Sequence, residues 1–101
     1  MSTNEDFPLL IKDLPKEIQR TIIIFMNYAE YDNDWKKLAM IIWPKIIILE
    51  IRYFEENGKM TLVLEKWGHE GGTTKELLQT LKSMKRIDLL MKLKEDYPSI
   101  R

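Results

Sequence analysis

Few residues in this chain are equipped for covalent chemistry. The single histidine, His69, sits in the run Gly68-His69-Glu70-Gly71-Gly72, with no cysteine anywhere and no second histidine. A zinc site needs several such ligands at fixed spacing, so neither a metal nor a thiolate mechanism is expected. Ser2, Ser83 and Ser99 are the serines, and none lies in a Gly-x-Ser-x-Gly elbow. The four glycines form neither a phosphate loop nor a dinucleotide fingerprint. No acid–base pair or nucleophile stands out, so no enzyme and no cofactor is expected. A histidine beside glycines reads as a bystander or a rim contact.

The chemistry that remains is association. Sixteen basic residues balance sixteen acidic ones. A zero net charge argues against a general nucleic-acid binder, which needs surplus positive charge to displace phosphate counterions. Lys82, Lys85 and Arg86 could touch phosphate, but no aromatics interleave with them and no recognition-helix pattern surrounds them. The charges are segregated along the chain. Residues 1–34 carry three basic and seven acidic side chains, whereas residues 58–101 carry nine basic and six acidic. An acidic end and a basic end on one small domain can pair head to tail between copies, and such heterologous contacts build open helices.

The elements that must carry these residues read as all-α. With 101 residues, 45% of them hydrophobic, the chain supports one domain with a core. No stretch approaches the ~18 apolar residues of a membrane span, so no membrane insertion is expected. The start Met-Ser-Thr-Asn-Glu-Asp lacks the pattern of a signal peptide. With the missing cysteines, that gives an expectation of a cytoplasmic location.

Residues 1–12 read as an N-terminal arm, 13–97 as the domain and 98–101 as a tail. A first helix is predicted from Pro15 to about Tyr28, with Asp13 as its cap and Ile18, Ile22 and Phe25 on one face. Asp34 or Asn33 caps a second helix holding Trp35, Leu38, Ala39 and Ile42. A third runs from Lys45 to Glu56 and stops at Asn57-Gly58. A fourth covers Lys59 to Trp67, followed by a flexible glycine loop. Thr73-Thr74-Lys75-Glu76 matches a capping box and opens a fifth helix to about Met84. A sixth follows Lys85-Arg86, with Leu89, Leu90 and Leu93 as its apolar face. Six short helices make an antiparallel bundle.

Trp35, Leu38, Ala39, Leu78, Leu81 and Leu90 are the expected core. The apolar residues exceed what one face per helix can bury: Ile22 through Met26, Trp43, Ile47 and Tyr53 leave a surplus. Either the arm, with Phe7, Leu9 and Leu10, covers part of it, or it marks a protein–protein surface.

The order of these pieces resembles a death domain. Leu14-Pro15 is followed by Asp34-Trp35-x-x-Leu38-Ala39, Ile48-Leu49-Glu50-Ile51-Arg52, Leu64-x-x-Trp67, Leu77-Leu78-x-x-Leu81 and Ile87-Asp88-Leu89-Leu90. Within that superfamily it is most similar to the adaptors of Toll-like and interleukin-1 receptor signalling. The resemblance spans roughly residues 14–95. It implies a six-helix module that self-associates and recruits other death-domain proteins, such as adaptors or receptor-associated kinases, into a helical oligomer. The regulatory death domain of a receptor-associated kinase remains an alternative, as does a small helical nucleic-acid-binding domain.

The resemblance also implies three asymmetric surface pairs. One sets Arg52, Glu55 and Glu56 against Tyr31, Asp32 and Asn33 of a neighbour. The second sets Lys66, Trp67, His69 and Glu70 against Lys85 and Arg86. The third sets Lys36 and Lys37 against Glu17 and Glu65.

Overall fold

The computed structural model describes residues 8–27 and 34–96. A short 3-10 turn, Ile11–Asp13, leads into six helices: α1 (Lys16–Asn27), α2 (Trp35–Ile42), α3 (Ile48–Asn57), α4 (Met60–His69), α5 (Thr74–Ser83) and α6 (Ile87–Asp96). The described residues contain no strand; one isolated bridge pairs Leu10 with Thr73. The chain is the expected all-α six-helix bundle.

The first helix starts differently from the sequence reading. Asp13 closes the 3-10 turn instead of capping, because Leu14 N–H bonds back to the Ile11 carbonyl. The Pro15 carbonyl then accepts the first helical bonds, from the Ile18 and Gln19 N–H groups. Ile18, Ile22 and Met26 lie one above the other at spacings of four and are buried. Phe25, expected on that face, is half-buried, and Met26 takes the central place. The expected extension to Tyr28 lies outside the described residues.

In α2 the Asp34 side chain accepts from the Lys36 N–H at 3.0 Å, satisfying one orphan donor of the first turn. Trp35, Leu38 and Ala39 face inward. α3 begins at Ile48, three residues later than the composition suggests. The Ile46 N–H first bonds the Trp43 carbonyl in a turn, and Ile47 is extended. Gly58, at φ 145, ends α3 where the pattern places the stop.

α4 is the hub, packing against the 3-10 turn and against α1, α2 and α3. Met60, Val63, Leu64, Trp67 and Gly68 on it are all buried. Its first turn is capped from another helix, by the Asn27 side chain accepting from Met60 N–H at 2.9 Å. The expected glycine loop is shorter and tighter than the sequence suggests. Gly68 and His69 belong to α4, and the backbone of Lys12 crosses directly over Gly68. The capping box of α5 forms in both directions, Glu76 N–H to Thr73 Oγ1 and Thr73 N–H to Glu76 Oε1.

The segment before α1 is strapped onto this end of the bundle. Ile11 N–H bonds the Gly72 carbonyl, Thr74 N–H bonds the Leu9 carbonyl, and the Thr74 hydroxyl donates to the Pro8 carbonyl at 2.6 Å. Ile11 is buried, whereas Leu9 stays exposed. Phe7 lies outside the described residues, and Ile24 on α1 remains exposed.

The expected core residues Trp35, Leu38, Ala39 and Leu81 are buried. Leu78 and Leu90 are only half-buried, packed against the core from the outside. The central positions of α5 and α6 are held instead by Leu77, Leu81, Leu89 and Leu93.

Candidate interaction surface

The surplus apolar residues gather on the last turn of α2, the connection after it and α3. Met40, Ile41, Ile47, Ile48, Leu49 and Tyr53 are exposed, Ile48 at 65% and Leu49 at 66%. The cause is local. In α3 only Phe54 is buried and Ile51 packs half-buried against the core, so Ile48, Leu49 and Tyr53 are left in solvent. Of the exposed residues, Ile47 and Tyr53 were legible in the sequence as surplus, whereas Trp43, expected with them, is half-buried against the core. Leu49 and Met40 were missed, because each sits among residues that fit a buried helical stripe.

One edge of this surface is built by contacts with α4. The Trp43 indole N–H donates to Glu70 Oε1 at 2.7 Å, and Lys66 Nζ lies 2.9 Å from Glu70 Oε2. Lys66 Nζ also stands 5.3 Å from the Trp43 ring centroid, in cation–π range. The lysine hydrogen bond, then the indole one, holds the Glu70 carboxyl below its usual range, and the same Glu70 contact raises Lys66. Trp43 in turn packs against Phe54, with ring centroids 6.1 Å apart. This cluster fastens the α2–α3 connection to the end of α4, which fixes the surface while leaving its apolar side chains outward.

The partner candidates fall into three groups. Lys36, Lys37, Arg52, Glu55, Glu56, His69, Glu70 and Lys85 are exposed, and Lys66 is half-buried. Lys36 and Glu55, assigned to different surface pairs, are neighbours in this chain, with Nζ to Oε2 3.4 Å. Tyr31, Asp32 and Asn33 lie outside the described residues. Trp67 and Arg86 are internal, each 7% exposed.

Trp67 packs at the base of the glycine loop, its indole against Gly72. Arg86 turns inward to the end of α1. Its Nη2 donates to the Phe25 carbonyl and to Asp88 Oδ2, both at 2.9 Å, and its Nη1 lies 3.3 Å from Met26 Sδ. Neither side chain is therefore presented to a partner in this structure. The charge doublet Lys85-Arg86 splits, with one residue outward and one inward.

Among the described residues no group of three or more His, Asp and Glu side chains is placed to hold a metal ion. No described helix is long and apolar enough to cross a membrane. What the geometry offers is a fixed apolar surface with lysines and glutamates beside it, the composition of a protein-binding face.

Comparison with known proteins agrees with this. No curated protein and no solved structure shows significant similarity to the chain. The family model described as Death domain matches residues 19–97, which take in most of α1 and everything through α6. With that match over most of its length and the six-helix bundle beneath it, the chain belongs to the death domain family of homotypic protein-interaction modules.

Proposed function

We propose that this chain is a non-enzymatic, cytoplasmic adaptor module. It self-associates and recruits other death domains into a helical oligomer, in signalling of the Toll-like and interleukin-1 receptor type. The observation that carries the reading is the exposed apolar surface of α2 and α3. Isolated domains seldom leave Ile47, Ile48, Leu49 and Tyr53 all in water without a partner. Charges of both signs lie beside that surface: Lys36, Lys37 and Arg52, with Glu50, Glu55 and Glu56. They supply the electrostatic register that steers asymmetric docking.

The test is sedimentation and negative-stain microscopy of the concentrated chain. Wild-type protein should form concentration-dependent oligomers. Leu49→Asp should remain monomeric with an unchanged melting temperature, because the side chain is exposed. Lys85→Glu should also weaken assembly. Arg86 is unsuitable for that comparison, since its substitution perturbs the fold. A wild-type chain that stays monomeric at high concentration and ignores partner death domains would overturn the proposal.

A further inference from the structure

A second surface lies on the opposite end of the chain order, between α5 and α6. Lys75, Leu78, Gln79 and Lys82 occupy one face of α5 at spacings i, i+3, i+4 and i+7. Ile87, Leu90, Met91 and Lys94 repeat the same spacing on α6. The two faces meet along a groove of about 470 Å³. Neither is the core face of its helix, which is carried by Leu77 and Leu81 on α5 and by Leu89 and Leu93 on α6. Beside these core faces the groove floor is apolar through Leu78 on α5 and Ile87, Leu90 and Met91 on α6, with Leu78 and Leu90 half-buried against the core. Ile87 is 53% and Met91 59% exposed.

The charge of the groove is one-sided. Its charged lining residues are all lysines. Among the described residues, none of Lys75, Lys82 and Lys94 has a carboxylate within ion-pair distance. Elsewhere on α6 the carboxylates are engaged: Asp88 with Arg86, and Glu95 and Asp96 with Lys92. Two of the cations lie two turns apart on α5, and the third sits two turns beyond Ile87 on α6.

A concave apolar floor with a purely cationic rim complements one kind of occupant. We infer that the α5–α6 groove is a docking site for an amphipathic helix whose apolar stripe is flanked by carboxylates. The floor sets the length. Two ten-residue helices rise about 15 Å each, so the groove takes about three turns of a partner helix, with apolar anchors at i, i+3 or i+4, and i+7. Met91 suits such a site, since its unbranched thioether adapts to different anchors. The groove shares no residue with the α2–α3 surface, so a module could hold an acidic helix here while assembled through the other face.

The experiment uses the 101-residue chain and a synthetic helical peptide of three to four turns. The peptide carries leucines on one face and glutamates along both flanks, and a matched peptide carries lysines in place of the glutamates. Titration followed by backbone amide NMR should shift resonances of α5 and α6, with the lysine peptide producing no such shifts. A triple variant, K75E, K82E and K94E, should bind the acidic peptide about tenfold or more weakly, the sum expected of three rim charges. It should leave the melting temperature and self-association of the chain unchanged. The inference is overturned if the acidic peptide shifts only α2 and α3, or if the triple variant binds it as tightly as wild type. It is likewise overturned if phosphatidylserine vesicles or duplex DNA bind at these lysines while the peptide does not.

Discussion

Arg86 Nη2 donates to the backbone carbonyl of Phe25 at 2.9 Å, joining the turn before α6 to the last turn of α1 across 61 positions of sequence. The carbonyl is one of those a helix leaves unsatisfied at its C-terminal end, where the macrodipole also favours a cation. The guanidinium meets both needs, and Asp88 neutralises it from the solvent side.

Replacing Arg86 by alanine removes the charge-assisted bond and leaves the Phe25 carbonyl without this donor. The expected loss is about 2 kcal/mol in urea unfolding. Arg86→Lys should recover only part, because an ammonium cannot bridge Phe25 and Asp88 with a planar fork. If both variants match wild type, the internal placement of Arg86 contributes nothing to stability.

Asp88 has its carboxyl held below the usual aspartate range, first by the Arg86 hydrogen bond. A carboxyl with a depressed folded-state value stabilises the fold above the unfolded value, near pH 4, and that contribution disappears as pH falls through the folded value. The side chain is 55% exposed, so solvent screening limits the effect to about half a kcal/mol. Thermal unfolding from pH 5 down to pH 2 should therefore fall less steeply for Asp88→Asn than for wild type. Parallel curves would remove Asp88 from the acid sensitivity of the fold.

Gly72 lies against Trp67 so closely that a Cβ there would stand 2.4 Å from the indole Cδ1. Gly72→Ala should cost about 1–3 kcal/mol by overpacking a buried ring. Gly71, one residue earlier, has open space around it but a φ of 87. Gly71→Ala should cost only the backbone strain, about 1 kcal/mol. Chemical denaturation of the two variants separates the causes. An equal cost for both would show that the indole moves aside freely.

The helices themselves were legible because their signals are local. Thr73 and Glu76 stand three apart and close a capping box wherever a helix begins there. Asp34 precedes an apolar run, and Gly58 stops one. The boundaries moved where a distant partner intervened, as at Asp13, which the 3-10 turn absorbs, and at Met60, capped by Asn27 from another helix.

The exposed surface was visible only in part. An excess of isoleucine around residue 47 announces apolar area without a place for it, but not which residues lose the competition for the core. Phe54 wins on α3, while Leu49 and Tyr53 are left outside.

Spacing by itself determined that the chain is all-α with six short helices, and the order of its motifs pointed to the death domain family. Charge and burial were decided only in three dimensions. Lys85 and Arg86 are adjacent and alike in sequence, yet one meets water and the other the end of α1. Trp67 likewise looks like a partner anchor until Gly72 folds over it. The physical reason is that helix propensity, capping and periodicity act within a few residues. The environment of a long side chain is set by whichever helix packs beside it, and no neighbouring residue in the chain encodes that alone.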